Sequence, residues 1–222
     1  MRAQFHEELK QLEEQALGAL DLVIITLDRT LEALEHQDIE LAAIVVNDDD
    51  RIDGRFLEVH QGILSLLALQ APVASDLRTV AALLHVIKHA ERMGDQCVNI
   101  AKVMPLVGTE PPSDPELLER IFKMARLARS EVAQAKQAFL LRDVDLAQDL
   151  VRQDEAVNKL NRECFQRAVE IGTDEVRREW AMTMMLVARA LERIGDNAVD
   201  IGEQVAFVVT GLFREFSDAS HV

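Results

Sequence analysis

The chain contains no tyrosine and a single tryptophan, and aromatic residues make up only 4% of it. Strands draw on aromatic and β-branched side chains in alternation, and that supply is missing here. Proline occurs five times and glycine nine times in 222 residues. So few breakers exclude a turn-rich β fold and leave long segments free to be helical. The two cysteines, Cys97 and Cys164, have no metal-motif spacing. That excludes a zinc ribbon or a disulfide framework and fits buried, reduced thiols in a cytosolic protein. No apolar run approaches about 18 residues, so no membrane insertion is expected. The start, Met1 to Glu8, reads as an acidic amphipathic helix and not as a signal peptide. Positive charge is also scarce: 24 Lys and Arg stand against 39 Asp and Glu, a net charge of −15. Such a surface repels phosphate backbones and anionic lipid, so no nucleic-acid partner is expected; cations and basic protein surfaces are compatible.

What is present is helical periodicity. Phe5, Leu9, Leu12, Ala16, Leu20, Val23, Leu27, Leu31 and Leu34 recur with a mean spacing near 3.6, which predicts a helix over about 3–36. Asp38 reads as the N-cap of a second helix that runs to about Gln70, before Pro72. Ser75 and Asp76 read as the start of a third, which ends at Pro105 and Gly108. Pro105, Pro111 and Pro112 mark the one linker. Asp114, Pro115 and Glu116 then start a fourth helix, about 115–141. Beyond it the first half repeats. Asp143-Val144-Asp145-Leu146-Ala147 echoes Asp38-Ile39-Glu40-Leu41-Ala42, and Gly172-Thr173 breaks and caps before a sixth helix, about 174–212. The expected fold is therefore all-α, a tandem duplication of a three-helix bundle with six long helices and a pseudo-twofold axis. The expected units are 1–108 and 109–222, with a frayed tail from Phe213 to Val222.

The repeat carries a chemical signal. Glu91-Arg92-Met93-Gly94-Asp95 and Glu192-Arg193-Ile194-Gly195-Asp196 both read E-R-x-G-D inside helical runs. Acids at i and i+4 sit side by side on a helix, with Cβ atoms about 5–6 Å apart, and repel each other. The glycine between them costs roughly another 0.5–1 kcal/mol against alanine. In the second helix Asp49 fills an apolar slot, with Asp53 one turn on; Asp154 and Asn158 fall on the same positions of the repeat. A carboxylate in a core slot is expensive unless it is paired, hydrogen-bonded or bound to a metal. Asn99 and Asp200 lie one turn beyond the E-R-x-G-D pairs. Oxygen ligands from two antiparallel helices, without thiolate or imidazole at matching positions, suit hard cations: Mg, Mn, Fe or Ca. Clustered carboxylates also bridge more than one ion, and a phosphate can join through the metal. The plain alternative is an acidic stripe neutralised by Arg78, Arg92, Arg189 and Arg193. His85 and His89 stand at i, i+4, but Leu186 and Ala190 replace them in the repeat, and Met182, Met184 and Met185 read as core. No phosphate-binding glycine loop and no nucleophile elbow occurs.

Through Pro72-Val73-Ala74-Ser75-Asp76-Leu77-Arg78, the first E-R-x-G-D and Ala190-Leu191 ahead of the second, the chain resembles the PhoU family of phosphate-uptake regulators along nearly its whole length. The resemblance implies two three-helix bundles whose E(D)-x-x-x-D motifs hold metal ions, in some members as multinuclear clusters. Position by position it points to Asp49, Asp53, Glu91 and Asp95 in one half and to Asp154, Glu192 and Asp196 in the other. Asn158 departs from the pattern, which sets the two sites apart in expected occupancy. The expected cofactors are divalent or trivalent metal ions with oxygen ligands, Fe, Mn, Mg or Zn. The resemblance further implies a cytoplasmic negative regulator of phosphate uptake and phosphate-starvation signalling. It would act by contact with the ATPase of a phosphate ABC transporter and with a sensor histidine kinase, and a homodimer is compatible. The competing reading is a carboxylate-bridged metalloenzyme of phosphatase or oxidase type. Without a positioned general acid, base or nucleophile, the expectation is that the chain is not an enzyme.

Overall fold

The fold comes from a computed structural model and is described for residues 2–107, 113–213 and 215–216. Within them 90% of the chain is helical and no strand occurs. Helix α1 (Arg2–His36) buries the predicted stripe from Phe5 through Leu34, with Leu31 half-buried. It ends where Gln37 turns left-handed, at φ 53. Asp38 then caps α2 (Ile39–Asn47), its carboxylate accepting from the Leu41 N–H at 2.9 Å. The rest of the first half is α3 (Asp50–Leu69), α4 (Ala74–Val103) and a short 3-10 turn at Met104–Leu106.

The second half repeats this grammar. Helix α5 (Pro115–Leu141) starts with the Asp114 side chain accepting from the Leu117 N–H at 2.9 Å. Asp114 is also held at 2.7 Å by Arg167, which keeps its carboxyl below the usual carboxylate range. Arg142 ends α5 in the left-handed conformation, as Gln37 ends α1, and Asp143 caps α6 (Val144–Ile171). Helix α7 spans Glu175–Thr210.

Among the described residues the six expected helices are found with the second interrupted, which gives seven α segments: α2 stops and α3 restarts at Asp48–Asp49. The reason lies in the residues. The break is Asn47-Asp48-Asp49-Asp50, four side chains that compete with the backbone for hydrogen bonds. In the repeat the same positions are Arg152-Gln153-Asp154-Glu155, richer in helix formers, and α6 runs through unbroken. Asp48 is held instead by Arg29 on α1, at 3.0 Å.

Two local expectations fail. Ser75 does not cap α4, which begins at Ala74 after Val73 without a side-chain cap. Thr173 does not cap α7; Asp174 does, accepting from the Val176 N–H at 2.9 Å, while Thr173 bonds back to the Glu170 carbonyl. Cys97 and Cys164 are buried and free, and burial pushes their thiols up to about 12 and about 11, so both are inert. Gly108, Pro111 and Pro112 of the linker, the boundary at 108/109 and residues 217–222 of the tail lie outside the described residues.

Helix α1 packs on α3 and α4, and α5 packs on α6 and α7. The two units then join along α4 and α7, with α1 beside α5, so one apolar core runs through both. Ion pairs also join the halves: exposed Arg129–Asp28 at 2.6 Å, worth at most about 1 kcal/mol, and half-buried Arg142–Glu13 at 2.7 Å. Among the described residues no helix is long and apolar enough to cross a membrane.

Candidate metal centres

Each half places one acid-bearing face of its middle helix against the E-R-x-G-D face of its last. In the first half the opening residues of α3 face α4. Gly94 permits the approach: a β-carbon there would lie 2.9 Å from Ile52 Cδ1, inside the core. The predicted acids come together. Burial, then the negative charges of Asp53 and Asp95, raises the Asp49 carboxyl above its ordinary value; Lys102 opposes. Burial, then Glu91 and Asp53, raises Asp95, with Lys88 and Lys102 opposing. Four carboxylates thus share one field, on a surface where Asp53 and Asp95 are exposed and Asp49 is half-buried. Asn99 lies on the exposed side of α4, one turn beyond.

In the second half the expected residues line one cleft. Asp154, Asn158, Glu192, Asp196 and Asp200 border a cavity of about 270 Å³, together with Glu155, Arg189, Glu203 and Phe216. Asp154 is 5% exposed and accepts from Asn158 Nδ2 at 2.7 Å. Of the arginines in the alternative reading, Arg189 pairs with a site acid, and in the first half a lysine takes that place. Lys88 holds Glu91 at 2.7 Å, and Arg189, its counterpart in the repeat, holds Glu192. Each glutamate is matched by a cation one turn earlier on its own helix, a partner for the carboxylate that a metal would replace. Arg78 serves elsewhere, donating to the Val208 carbonyl at 3.2 Å.

One acid of this site was not anticipated. Glu131, on α5, is fully buried, and neither carboxylate oxygen has a hydrogen-bond partner among the described residues. Burial, then the charges of Asp154 and Asp196, pushes its carboxyl up to about 8. Gly195 sits directly beneath. A β-carbon on it would lie 2.7 Å from Glu131 Oε2 and 2.8 Å from Asp154 Oδ1. The signal was in the sequence: Ile121, Met124, Ala128, Glu131, Ala135 and Ala138 form the buried stripe of α5, with an acid in one slot.

Two side candidates resolve differently. His89 is buried and donates from Nδ1 to Asn197 Oδ1 at 2.7 Å across the α4–α7 seam, with Asp200 3.5 Å away. Burial lowers its imidazole against the raising pull of Asn197 and Asp200. It is a buried seam residue, whereas His85, one turn earlier on α4, is exposed. Met184 is core as expected, whereas Met182 is 67% exposed.

In the side-chain positions seen here, no three His, Cys, Asp or Glu among the described residues close on one ion. The donor set nonetheless fits a hard cation. It is all oxygen, it includes a buried carboxylate lacking hydrogen bonds, and a glycine keeps the space over two of its oxygens open. Gly195→Ala tests that space. Overpacking costs about 1–3 kcal/mol and alanine returns about 1 in helix propensity, so a net loss of roughly 0–2 kcal/mol is expected in thermal melts. A clear rise in Tm would show that the oxygens give way freely.

A duplicated three-helix unit with one acid-lined face per repeat defines an all-α tandem-repeat scaffold. The PhoU domain profile matches residues 18–104 and again 121–205. The chain belongs to the PhoU domain family. It is 32% identical to the phosphate-specific transport system accessory protein PhoU homolog 1 of Mycobacterium tuberculosis, over 96% of both chains. It is 28% identical to the PhoU homolog of Clostridium acetobutylicum, over 96% of this chain and 98% of that one. The crystal structure of the phosphate transport system regulatory protein PhoU from Streptococcus pneumoniae superposes with a TM-score of 0.88 at 27% identity, covering 95% of this chain and 99% of that one. These relatives are accessory and regulatory proteins of phosphate transport.

Proposed function

We propose that this chain is a metal-binding, cytoplasmic negative regulator of phosphate uptake and phosphate-starvation signalling. It acts by contact with the ATPase of a phosphate ABC transporter and with a sensor histidine kinase, and it is not itself an enzyme. The observation that carries the reading is end-to-end similarity to proteins named for an accessory role in phosphate transport. The site supports it. Asp49, Asp53, Glu91 and Asp95 would hold cations in one half, and Asp154, Glu192 and Asp196 in the other. Asn99, Asn158 and Asp200 stand within a turn of these acids. The metal, when bound, supplies positive charge to an otherwise negative face, so occupancy tunes what that face attracts.

The test is binding to the isolated ATPase and to the kinase cytoplasmic domain across salt. Attraction between a negative face and a basic partner fades as the screening length falls from about 10 Å at 0.1 M to about 3 Å at 1 M. Association should weaken several-fold over that range, and weaken further in Asp49→Lys and Asp196→Lys. Asp196 is chosen over Asp154 because Asp154 is buried and a lysine there would disturb the fold. Binding indifferent to salt and metal, or robust metal-dependent hydrolysis of a phosphoester by the isolated chain, would sink the adaptor reading and favour a metalloenzyme.

A further inference from the structure

We infer that Glu131 on α5 is a fourth carboxylate of the second-half metal site, supplying from a third helix the acid that Asn158 lacks. The inference rests on the proposed reading that this cleft holds a cation. The left-handed helix ends Gln37 and Arg142 and the caps Asp38 and Asp143 fix the repeat register. In that register Asn158 falls on Asp53 and Glu131 falls on Thr26. The first half therefore has two acids on α3 and its break, and a hydroxyl on α1. The second half has one acid on α6, an amide beside it, and an acid on α5. The repeats differ at both positions, and each reaches four carboxylates by its own route.

Position and burial support the exchange. Glu131 has no exposed surface and both oxygens lack hydrogen bonds among the described residues. A carboxyl in that state is costly unless something else completes it. Its Oε2 converges with Asp154 Oδ1 over Gly195, the one residue type whose missing side chain leaves room for both. Glu131 does not line the open cleft itself; it stands beside Asp154, which does, and the two oxygens meet over Gly195, next to Asp196 on α7. A cation there would give the buried oxygens the partner they lack.

The experiment uses full-length chain carrying Asp49→Ala and Asp95→Ala, so that only the second half binds. It is stripped with chelator and titrated with Mn(II) alone, reading free Mn(II) by electron paramagnetic resonance and bound metal by elemental analysis. Glu131→Gln is expected to weaken Mn(II) binding at least tenfold, and adding Asn158→Asp to recover most of the loss. Metal-free Glu131→Gln should melt no lower than its parent, while the rise in Tm on adding Mn(II) shrinks. Affinity within twofold of the parent overturns the inference and leaves the cleft as a metal site. A metal-free Glu131→Gln chain that melts well below its parent assigns Glu131 to the fold and overturns it too. No Mn(II) bound by the second half with Glu131 intact overturns the metal reading of the cleft itself.

Discussion

Chelator-treated protein is expected to lose stability as pH rises from about 5 to about 8, the reverse of the usual carboxylate trend. Glu131 is the cause. Its folded pKa, about 8, lies above the unfolded value of 4.5. Between those values the folded chain holds a proton that the unfolded chain has released, so raising the pH favours unfolding. Below the window the group contributes nothing, and above it the full cost of an ionised, buried carboxylate is present. At about 1.4 kcal/mol per pK unit that cost is on the order of 3–5 kcal/mol, much of a typical domain's stability. Asp49 and Asp95, raised by burial and by their neighbours, act in the same direction at the acid end. Denaturant titrations at several pH values give the slope, and Glu131→Gln should flatten most of it. An unchanged slope in that variant would clear Glu131 of the effect. Added metal should oppose the slope, because a cation competes with the proton for the same oxygens.

Replacing Glu192 and Asp196 together by alanine is expected to empty the second-half site while the first stays largely occupied. The ligand sets stand on different helices, α6 and α7 in one case, α4 and the segment around Asp49 in the other, and they bind separately. Stability should move in opposite directions with and without metal. Metal-free, the variant loses repulsion around Glu131 and gains helix propensity, so its melting point should hold or rise. Metal-loaded, it forgoes a ligand-coupled gain of RT ln(1+[L]/Kd), about 2.7 kcal/mol at a hundredfold excess over Kd. Removing Glu192 releases Arg189, which is more than half exposed and is readily solvated. Metal per chain from elemental analysis, beside melts in chelator and in excess metal, decides the matter; an unchanged metal content refutes the ligand assignment.

Much of this was legible because period and punctuation agree. The α1 and α5 stripes, the caps Asp38, Asp114 and Asp143 and the 105-residue echo place those helices within a residue or two. The break at Asp48–Asp49 was not read, because apolar spacing survives across it from Val45 to Ile52. Only the local competition of Asn47 and its three aspartates tips the balance there. Ser75 and Thr173 mislead for a related reason: each can cap, but Pro72 sets the start of α4 upstream and Asp174 is the stronger acceptor. Among site residues, those on paired motifs announced themselves through repetition. Glu131 has no twin, since Thr26 occupies its position, and a reading built on repetition passes over it.

The seam between α4 and α7 has a consequence of its own. A helix packed on its own repeat copy is geometrically the isologous contact of a twofold homodimer, folded within one chain. In a dimer of identical subunits every substitution lands twice, and a change useful on one side must be tolerable on the other. Fusion lifts that constraint. His89 can reach Asn197 although the mirrored positions are Ala190 and Gln96. A buried imidazole–amide bond at one end of the seam therefore has no counterpart at the other. The pairing is fixed in one register, and the two ends of the molecule are free to meet different surfaces.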